Sequence, residues 1–290
     1  MAFKRIYIEI TNVCNMSCSF CPKCKREKRF MTAEEFESIL CQFEKPLPQL
    51  YFHVKGEPLM HPDLAEFLKL ADKYGFLVNI TTNGTFLEKQ AETLLSSPCL
   101  RQVNLSVHSL EEKSAEENTA YLKTLAKFGK TCSLRKSPYV VYRMWNGAGE
   151  GEPISDVALA QLNAISEEYG IHLDLFLPHG RNAAHLAENV FVSFMDRFVW
   201  PSLNHEVVGT RGKCHGGRDM LAILCDGTVV PCCLDENGDA PMGNIFTQSL
   251  DEIVSSERFK NMQKGFYGGN ITEALCQRCE YRLRFKKKPE

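Results

Sequence analysis

Short apolar runs alternate with longer amphipathic stretches over the first two thirds of the chain. Residues 5–11, 50–54, 77–81, 102–107, 139–144 and 172–177 are each apolar or β-branched and end in a polar turn, which predicts six strands. Between them, residues 32–43, 62–74, 87–96, 112–128 and 154–169 carry apolar side chains at helical spacing, which predicts five helices. Thr32 with Glu35 three residues later reads as a capping box, and Gly75 and Gly170 read as helix C-caps. Strands alternating with helices predict an α/β fold with a parallel sheet. Six units are fewer than the eight of a closed barrel, and the pattern leaves a doubly wound sheet and a partial barrel both open. In either case the loops at the carboxyl ends of the strands are the expected place for chemistry.

After residue 177 the rhythm stops. Residues 178–211 read as irregular apart from an apolar stretch at 190–200. From residue 213 the style changes. A hairpin is predicted from 220–224 and 228–231 around Cys225, Asp226 and Gly227, then a helical stretch at 250–264, a Gly-Gly break and a cysteine pair. A boundary is expected near residue 205, giving domains 1–204 and 205–290.

Composition excludes several classes. The chain has 290 residues, 34 Lys plus Arg against 36 Asp plus Glu, a net charge of −2 and 44% hydrophobic residues. That balance fits a folded globular protein and gives no whole-chain mark of a nucleic-acid or membrane binder. No apolar run nears the roughly 18 residues of a membrane span. The first ten residues lack a signal-peptide apolar core, so a cytoplasmic location is expected. The 13 cysteines are the departure. In a long, non-exported chain they point to metal or redox chemistry rather than disulfides.

Cys14, Cys18 and Cys21 form a C-x3-C-x2-C group directly after the first predicted strand. With Cys24 as a fourth ligand they would make a zinc site. As three ligands of an iron–sulfur cubane, which normally takes four thiolates, they would leave one iron open. Cys214, Cys232, Cys276 and Cys279 form a second group that ends in a C-x2-C pair. Four thiolates complete either a zinc site or a cubane, and the spacing does not separate them.

The stretch Cys14-Asn-Met-Ser-Cys18-Ser-Phe20-Cys21 resembles the signature of the radical S-adenosylmethionine (radical SAM) superfamily. Three further motifs support it, each near a predicted strand end. Lys55, Gly56, Glu57 and Pro58 stand where the family has a Gly-Gly-Glu motif, with Lys55 in place of the first glycine. Thr82, Asn83 and Gly84 match its Thr-Asn-Gly form, and residues 105–109 its short run on the fourth strand. The resemblance implies a partial (β/α)6 TIM-like barrel. It also implies a [4Fe–4S] cluster on Cys14, Cys18 and Cys21 whose open iron chelates SAM. Reductive cleavage of SAM then gives a 5′-deoxyadenosyl radical that takes hydrogen from substrate. SAM-binding roles are implied for Phe20, Gly56, Glu57, Asn83, Ser106, His108 and Arg143. A one-electron reductant such as flavodoxin or ferredoxin is implied as partner.

The second cysteine group is similar to a shortened SPASM, or twitch, domain, a small cysteine-rich α+β unit with a β-hairpin and a helix. That likeness implies one auxiliary [4Fe–4S] cluster on Cys214, Cys232, Cys276 and Cys279, which is either structural or an electron acceptor. Cys225, Cys233, Asp235 and His108 are the candidate catalytic residues.

Two basic runs remain, at 23–29 and 282–288. A charge run is ordinarily a solvated face. If both lined one mouth, they would favour an anionic small molecule, a nucleotide or RNA. The expected activity is hydrogen abstraction from a polar or anionic substrate followed by oxidation or rearrangement. Epimerisation or cross-linking of a ribosomally made peptide is the alternative, and it is weakened because Cys14 lies too near the N-terminus for a preceding peptide-recognition domain. A non-catalytic zinc protein that binds nucleic acid is the alternative of another class, and the ordered motifs argue against it.

Overall fold

The structure, a computed structural model, describes residues 3–110, 115–144, 155–171, 183–195 and 197–285. In chain order its elements are β1 (Arg5–Ile8), α1 (Ala33–Leu40), β2 (Gln49–Tyr51), α2 (Leu64–Tyr74), β3 (Val78–Thr82), α3 (Leu87–Leu95) and β4 (Leu100–Ser106). There follow α4 (Ala115–Arg135), β5 (Tyr139–Met144), α5 (Asp156–Glu168), β6 (Ala183–Ala187) and β7 (Val190–Phe194). The last are β8 (Met220–Ile223), β9 (Thr228–Val230), β10 (Gly243–Asn244), α6 (Leu250–Ser255), α7 (Glu257–Gly268) and α8 (Ala274–Gln277). The chain packs as two units, Met1–Leu77 with Phe198–Glu290, and Val78–Arg197.

In the first unit β1 lies between two parallel neighbours. Ile6 stands opposite Leu50 of β2 on one side and Leu221 of β8 on the other. Ile6 and Ile8 are fully buried, as a strand covered on both faces requires. β9 and β10 extend this sheet by antiparallel pairing. α1 begins with the predicted capping box: Glu35 N donates to Thr32 Oγ1 at 3.2 Å, and Thr32 N donates to Glu35 Oε2 at 2.9 Å. Its apolar face sets Phe36 against Phe52 and against Phe67 of α2, with ring centroids 5.4 and 4.5 Å apart.

In the second unit β3, β4, β5 and β7 run parallel, and β6 pairs antiparallel with β7. Residues 183–194, read from the pattern as irregular, are therefore a hairpin. Its turn, Glu188 and Asn189, lacks glycine. Asn189 holds it by donating to the carbonyls of Pro138 (2.5 Å) and Cys132 (3.3 Å). The strand expected at 172–177 lies outside the described residues.

Other boundaries move for local reasons. α4 continues past residue 128 to Arg135, because Gly129 is not a terminator. A Cβ there would come within 2.2 Å of the Tyr169 hydroxyl and 2.4 Å of the Tyr142 hydroxyl, so the glycine makes room for the pair of buried Tyr142 and half-buried Tyr169. The single helix expected at 250–264 is two, divided at Ser256, whose hydroxyl accepts from Phe259 N and starts α7. The hairpin at 220–231 forms as expected, but β8 also pairs with β1 and so extends the sheet of the N-terminal strands. Among the described residues no helix is long and apolar enough to cross a membrane.

The exposed capping box gives a clean test of α1. Thr32→Ala should cost about 1 kcal/mol, read as a lower urea midpoint with an unchanged slope.

Candidate active site

The cysteine loop leaves the end of β1 and returns to it. Thr11 Oγ1 donates to Arg29 O (2.9 Å), Asn12 Nδ2 donates to Glu27 O (2.7 Å), and Arg29 N donates to Asn12 Oδ1 (2.9 Å). The loop is thus pinned at its neck while its thiols stay accessible. Cys14 is exposed, Cys18 and Cys21 are half-buried, and Cys21 N turns back to donate to Cys18 O (3.0 Å). Partial desolvation raises the Cys14 thiol above its ordinary value, with Glu57 and Cys21 adding to the rise. Half-buried Phe20 sits between the last two cysteines. Cys24, the possible fourth ligand, is engaged elsewhere: its sulfur lies 3.7 Å from Asn12 Nδ2 and 3.9 Å from Arg26 O.

Gly56 and Glu57 dock on this loop. Gly56 has φ +76°, and a Cβ there would lie 2.3 Å from Thr11 O and 2.9 Å from Val13 O. Glycine is needed for both its backbone angle and this approach. Glu57 N donates to Val13 O at 2.8 Å. The Glu57 carboxylate, buried, accepts from Leu59 N (2.9 Å) and so starts a short 3₁₀ turn. Gly56 thereby closes on the backbone just before Cys14.

Beneath the loop lies a buried charged hub that the sequence reading missed. Glu9 is fully buried and accepts four hydrogen bonds: two from Arg26 Nη2 (2.6 and 2.7 Å), one from Lys55 N (3.0 Å) and one from Cys225 N (3.2 Å). Against the desolvation that burial imposes, Glu9 holds the Arg26 guanidinium above its ordinary value. Arg26 also donates through Nε to Glu236 O (2.9 Å). The first basic run is therefore divided: Arg26 turns inward, while Lys23, Lys25 and Lys28 are exposed. Arg26 serves the hub, Lys28 Nζ donates to Asn12 O (2.8 Å), and Arg29 pairs with Glu35 (2.6 Å). A run of cations on a loop suggests a wet face, and only the buried acid opposite gives the inward use away.

Among the described residues no three His, Cys, Asp or Glu side chains stand close enough to hold a single metal ion. The second cysteine set is instead marked by burial and mutual proximity. Desolvation raises Cys232 and Cys276 well above the ordinary thiol value. Cys214 adds to the rise at Cys232, Cys276 and Cys279, and Cys276 adds to that at Cys232. Cys279 N donates to Cys276 O (3.4 Å), the tight turn of a C-x2-C knuckle. Arg282, also buried, closes the set. It donates to Cys276 O (2.8 Å), to Arg211 O (2.8 Å) and to Gly209 O, tying the two arms that carry the thiols. Four desolvated thiols that raise one another, one of them buried and three half-buried, suit a group with full thiolate ligation. Three accessible thiols beside an acid suit one with an open position.

The candidate catalytic residues differ in surroundings. Cys225 is fully buried with its sulfur 3.6 Å from Arg26 Nη1, and burial with Glu9 nearby pushes its thiol up to about 12. Asp235 is buried and organises its own loop, accepting from Asp239 N (2.7 Å) and Ala240 N (2.8 Å). Burial pushes it up to about 6 against those bonds. Cys233 is half-buried and stands by the Tyr7 hydroxyl, whose ionisation burial and this thiol both suppress. Tyr7 stacks on Tyr51 at 4.8 Å, with His53 edge-on at 5.2 Å.

In the second unit, Asn83 follows β3 and accepts from Thr85 N and Thr85 Oγ1 (2.9 and 2.7 Å). Ser106 ends β4 and is in register with Arg143 of β5, whose Nη2 lies 3.7 Å from the Met195 sulfur. His108 is buried with Nδ1 3.1 Å from Arg143 O, and burial lowers it to about 3. It is therefore neutral at physiological pH.

Comparison with known proteins gives this arrangement its context. Residues 8–144 match the Radical SAM superfamily, and residues 214–280 match SPASM, an iron–sulfur cluster-binding domain. A tungsten-containing aldehyde ferredoxin oxidoreductase cofactor-modifying protein from Pyrococcus furiosus is 39% identical over 88 residues, 29% of this chain and 25% of that one. A GTP 3′,8-cyclase from Aquifex aeolicus is 31% identical over 122 residues, 39% of this chain and 38% of that one. The matches thus span less than half the length of these relatives. Among solved structures, BtrN in complex with AdoMet and 2-DOIA aligns with a TM-score of 0.55 at 20% identity, over 97% of this chain and 94% of that one. Native anSMEcpe with bound AdoMet aligns with a TM-score of 0.58 at 13% identity, over 99% and 92%. These two share the fold.

The chain is an iron–sulfur enzyme with an α/β, partial-barrel fold. It belongs to the radical SAM superfamily and carries a SPASM domain, so its cofactors are SAM, a [4Fe–4S] cluster and an auxiliary iron–sulfur cluster.

Two predictions follow the geometry. Glu9→Ala or Arg26→Met strands a buried charge and should cost about 3–5 kcal/mol. Arg29→Met, whose pair with Glu35 is about a third exposed, should cost only about 0.2–1 kcal/mol; urea unfolding of the three variants compares them. His108 is neutral when folded and charges on unfolding below its usual pKa of about 6.5. The unfolded chain therefore binds the extra proton between about 6.5 and about 3, and stability falls as pH drops through that window. His108→Gln should lose less stability than the native chain when urea unfolding is moved from pH 7 to pH 5.

Proposed function

We propose that Cys14, Cys18 and Cys21 hold the [4Fe–4S] cluster and that Glu57 receives the amino group of SAM. The observation that carries this is the docking of Gly56 and Glu57 on Thr11 and Val13, which sets an acid beside Cys14. Bound there, cluster and SAM supply a carbon-centred radical that removes hydrogen from an unactivated C–H bond. The neck of the loop fixes the three thiols, and Phe20 covers an apolar face. Asn83, Ser106, His108 and Arg143 are the proposed SAM or substrate contacts of the second unit, with His108 acting as a neutral group.

Cys214, Cys232, Cys276 and Cys279 are the proposed ligands of the auxiliary cluster, within a twitch-type domain at 205–290. The reaction class we favour is oxidation or rearrangement of a polar or anionic small molecule, supported by likeness over nearly full length to BtrN, solved with 2-DOIA. Cys233, beside Tyr7, is the proposed hydrogen-atom donor if the substrate radical is quenched rather than oxidised. Cys225 and Asp235 are better suited to holding the loops around it. Peptide modification is the second reading, supported by 28% identity over 120 residues to a PqqA peptide cyclase. The electron comes from a one-electron reductant such as flavodoxin or ferredoxin.

Anaerobic reconstitution should give about eight irons per chain, four for each of two cubanes, and SAM with dithionite should yield 5′-deoxyadenosine. Exchanging Cys14, Cys18 and Cys21 for Ala should abolish cleavage. Exchanging Cys276 and Cys279 should retain part of it with iron falling to about four. Stoichiometric zinc without SAM cleavage would overturn the assignment.

A further inference from the structure

Lys55 is the residue by which this chain departs from the Gly-Gly-Glu pattern, and its side chain is almost wholly buried. Its ammonium lies 3.1 Å from Cys21 Sγ and donates to Pro22 O. Glu236 Oε2, buried and without a hydrogen bond, stands 3.8 Å from this ammonium, with Arg26 the second cation that acts on Glu236. The Trp200 ring covers the ammonium, with its centroid 5.3 Å from Nζ. The Lys55 backbone is fixed as well, because its N–H donates to Glu9. Such a side chain is held from both ends and screened from water.

A lysine so placed does more than close a loop. Iron–sulfur potentials respond to net charge, to hydrogen bonds on the ligand sulfurs and to solvent exposure. Lys55 supplies the first two at Cys21. Charge effects are also larger here than at a surface, where water and salt would screen them.

We propose that Lys55 is a positioning residue that sets the reduction potential of the first cluster, its buried ammonium favouring the reduced state. The proposal rests on Cys21 being a ligand of that cluster. Glu236 pairs with the same ammonium at 3.8 Å, so the segment that follows Cys232 takes part in tuning the cluster at Cys21.

The test is potentiometric titration of the reconstituted full chain, followed by EPR. The iron signal that changes on addition of SAM belongs to the first cluster. Lys55→Gln and Lys55→Met should move its midpoint to more negative potential, while Lys55→Arg, which keeps the charge, should stay near the native value. Lys55→Gln keeps a polar head at Pro22 O, so it reports on charge if Lys55→Met fails to take up iron. A native midpoint in Lys55→Gln, or an Arg variant shifted as far as Gln, overturns the role of Lys55. Absence of any SAM-responsive iron signal in the native chain overturns instead the reading of the cysteine loop.

Discussion

The first unit is organised around one buried carboxylate. Glu9 follows β1, and its four hydrogen bonds reach the cysteine loop through Arg26, the segment after β2 through Lys55, and the turn after β8 through Cys225. An isolated ion in that interior would be prohibitively costly, and it is tolerated because a guanidinium and two backbone N–H groups surround it. The requirement runs the other way too. Each of the three segments must be in place for the carboxylate to be satisfied, so the hub fixes their mutual arrangement more tightly than apolar packing would.

The two thiol sets of this unit obey different rules. The N-terminal three sit on a loop pinned at its neck and again at Cys21 by Lys55, with Cys14 exposed and the other two half-buried. The C-terminal four desolvate and influence one another, with Arg282 bound to the backbone of both arms. Accessibility suits a site where a small molecule arrives and leaves, and enclosure suits one that exchanges nothing but electrons or serves only as a staple. The Lys55–Glu236 contact joins the two regions, since Lys55 touches Cys21 and Glu236 lies four residues beyond Cys232.

Much of this was legible from pattern. The strand and helix alternation and the capping box at Thr32 follow from local rules that act over a few residues. What escaped were features decided by distant partners. Arg26 looked like one more solvated cation because nothing near it in sequence reveals Glu9. The helix expected to end at residue 128 runs on to Arg135, and the tyrosines that need the space at Gly129 come later, at 142 and 169. The hairpin at 183–194 was invisible because an Asn side chain, rather than a glycine, shapes its turn. The parallel pairing of β8 with β1 joins segments more than 200 residues apart, and no periodicity encodes that.

That last distance matters during synthesis. The hydrogen bond from Cys225 to Glu9 spans 216 positions. At about 5–20 residues per second, a ribosome needs roughly 10–40 s to cover that interval. Through it β1 lacks its β8 neighbour, and Glu9 lacks one of its donors. The N-terminal thiols are made early and their surroundings are completed late. The nascent chain therefore carries reactive sulfur on an unfinished scaffold, and its protection from oxygen and stray metals in that interval must come from outside the fold.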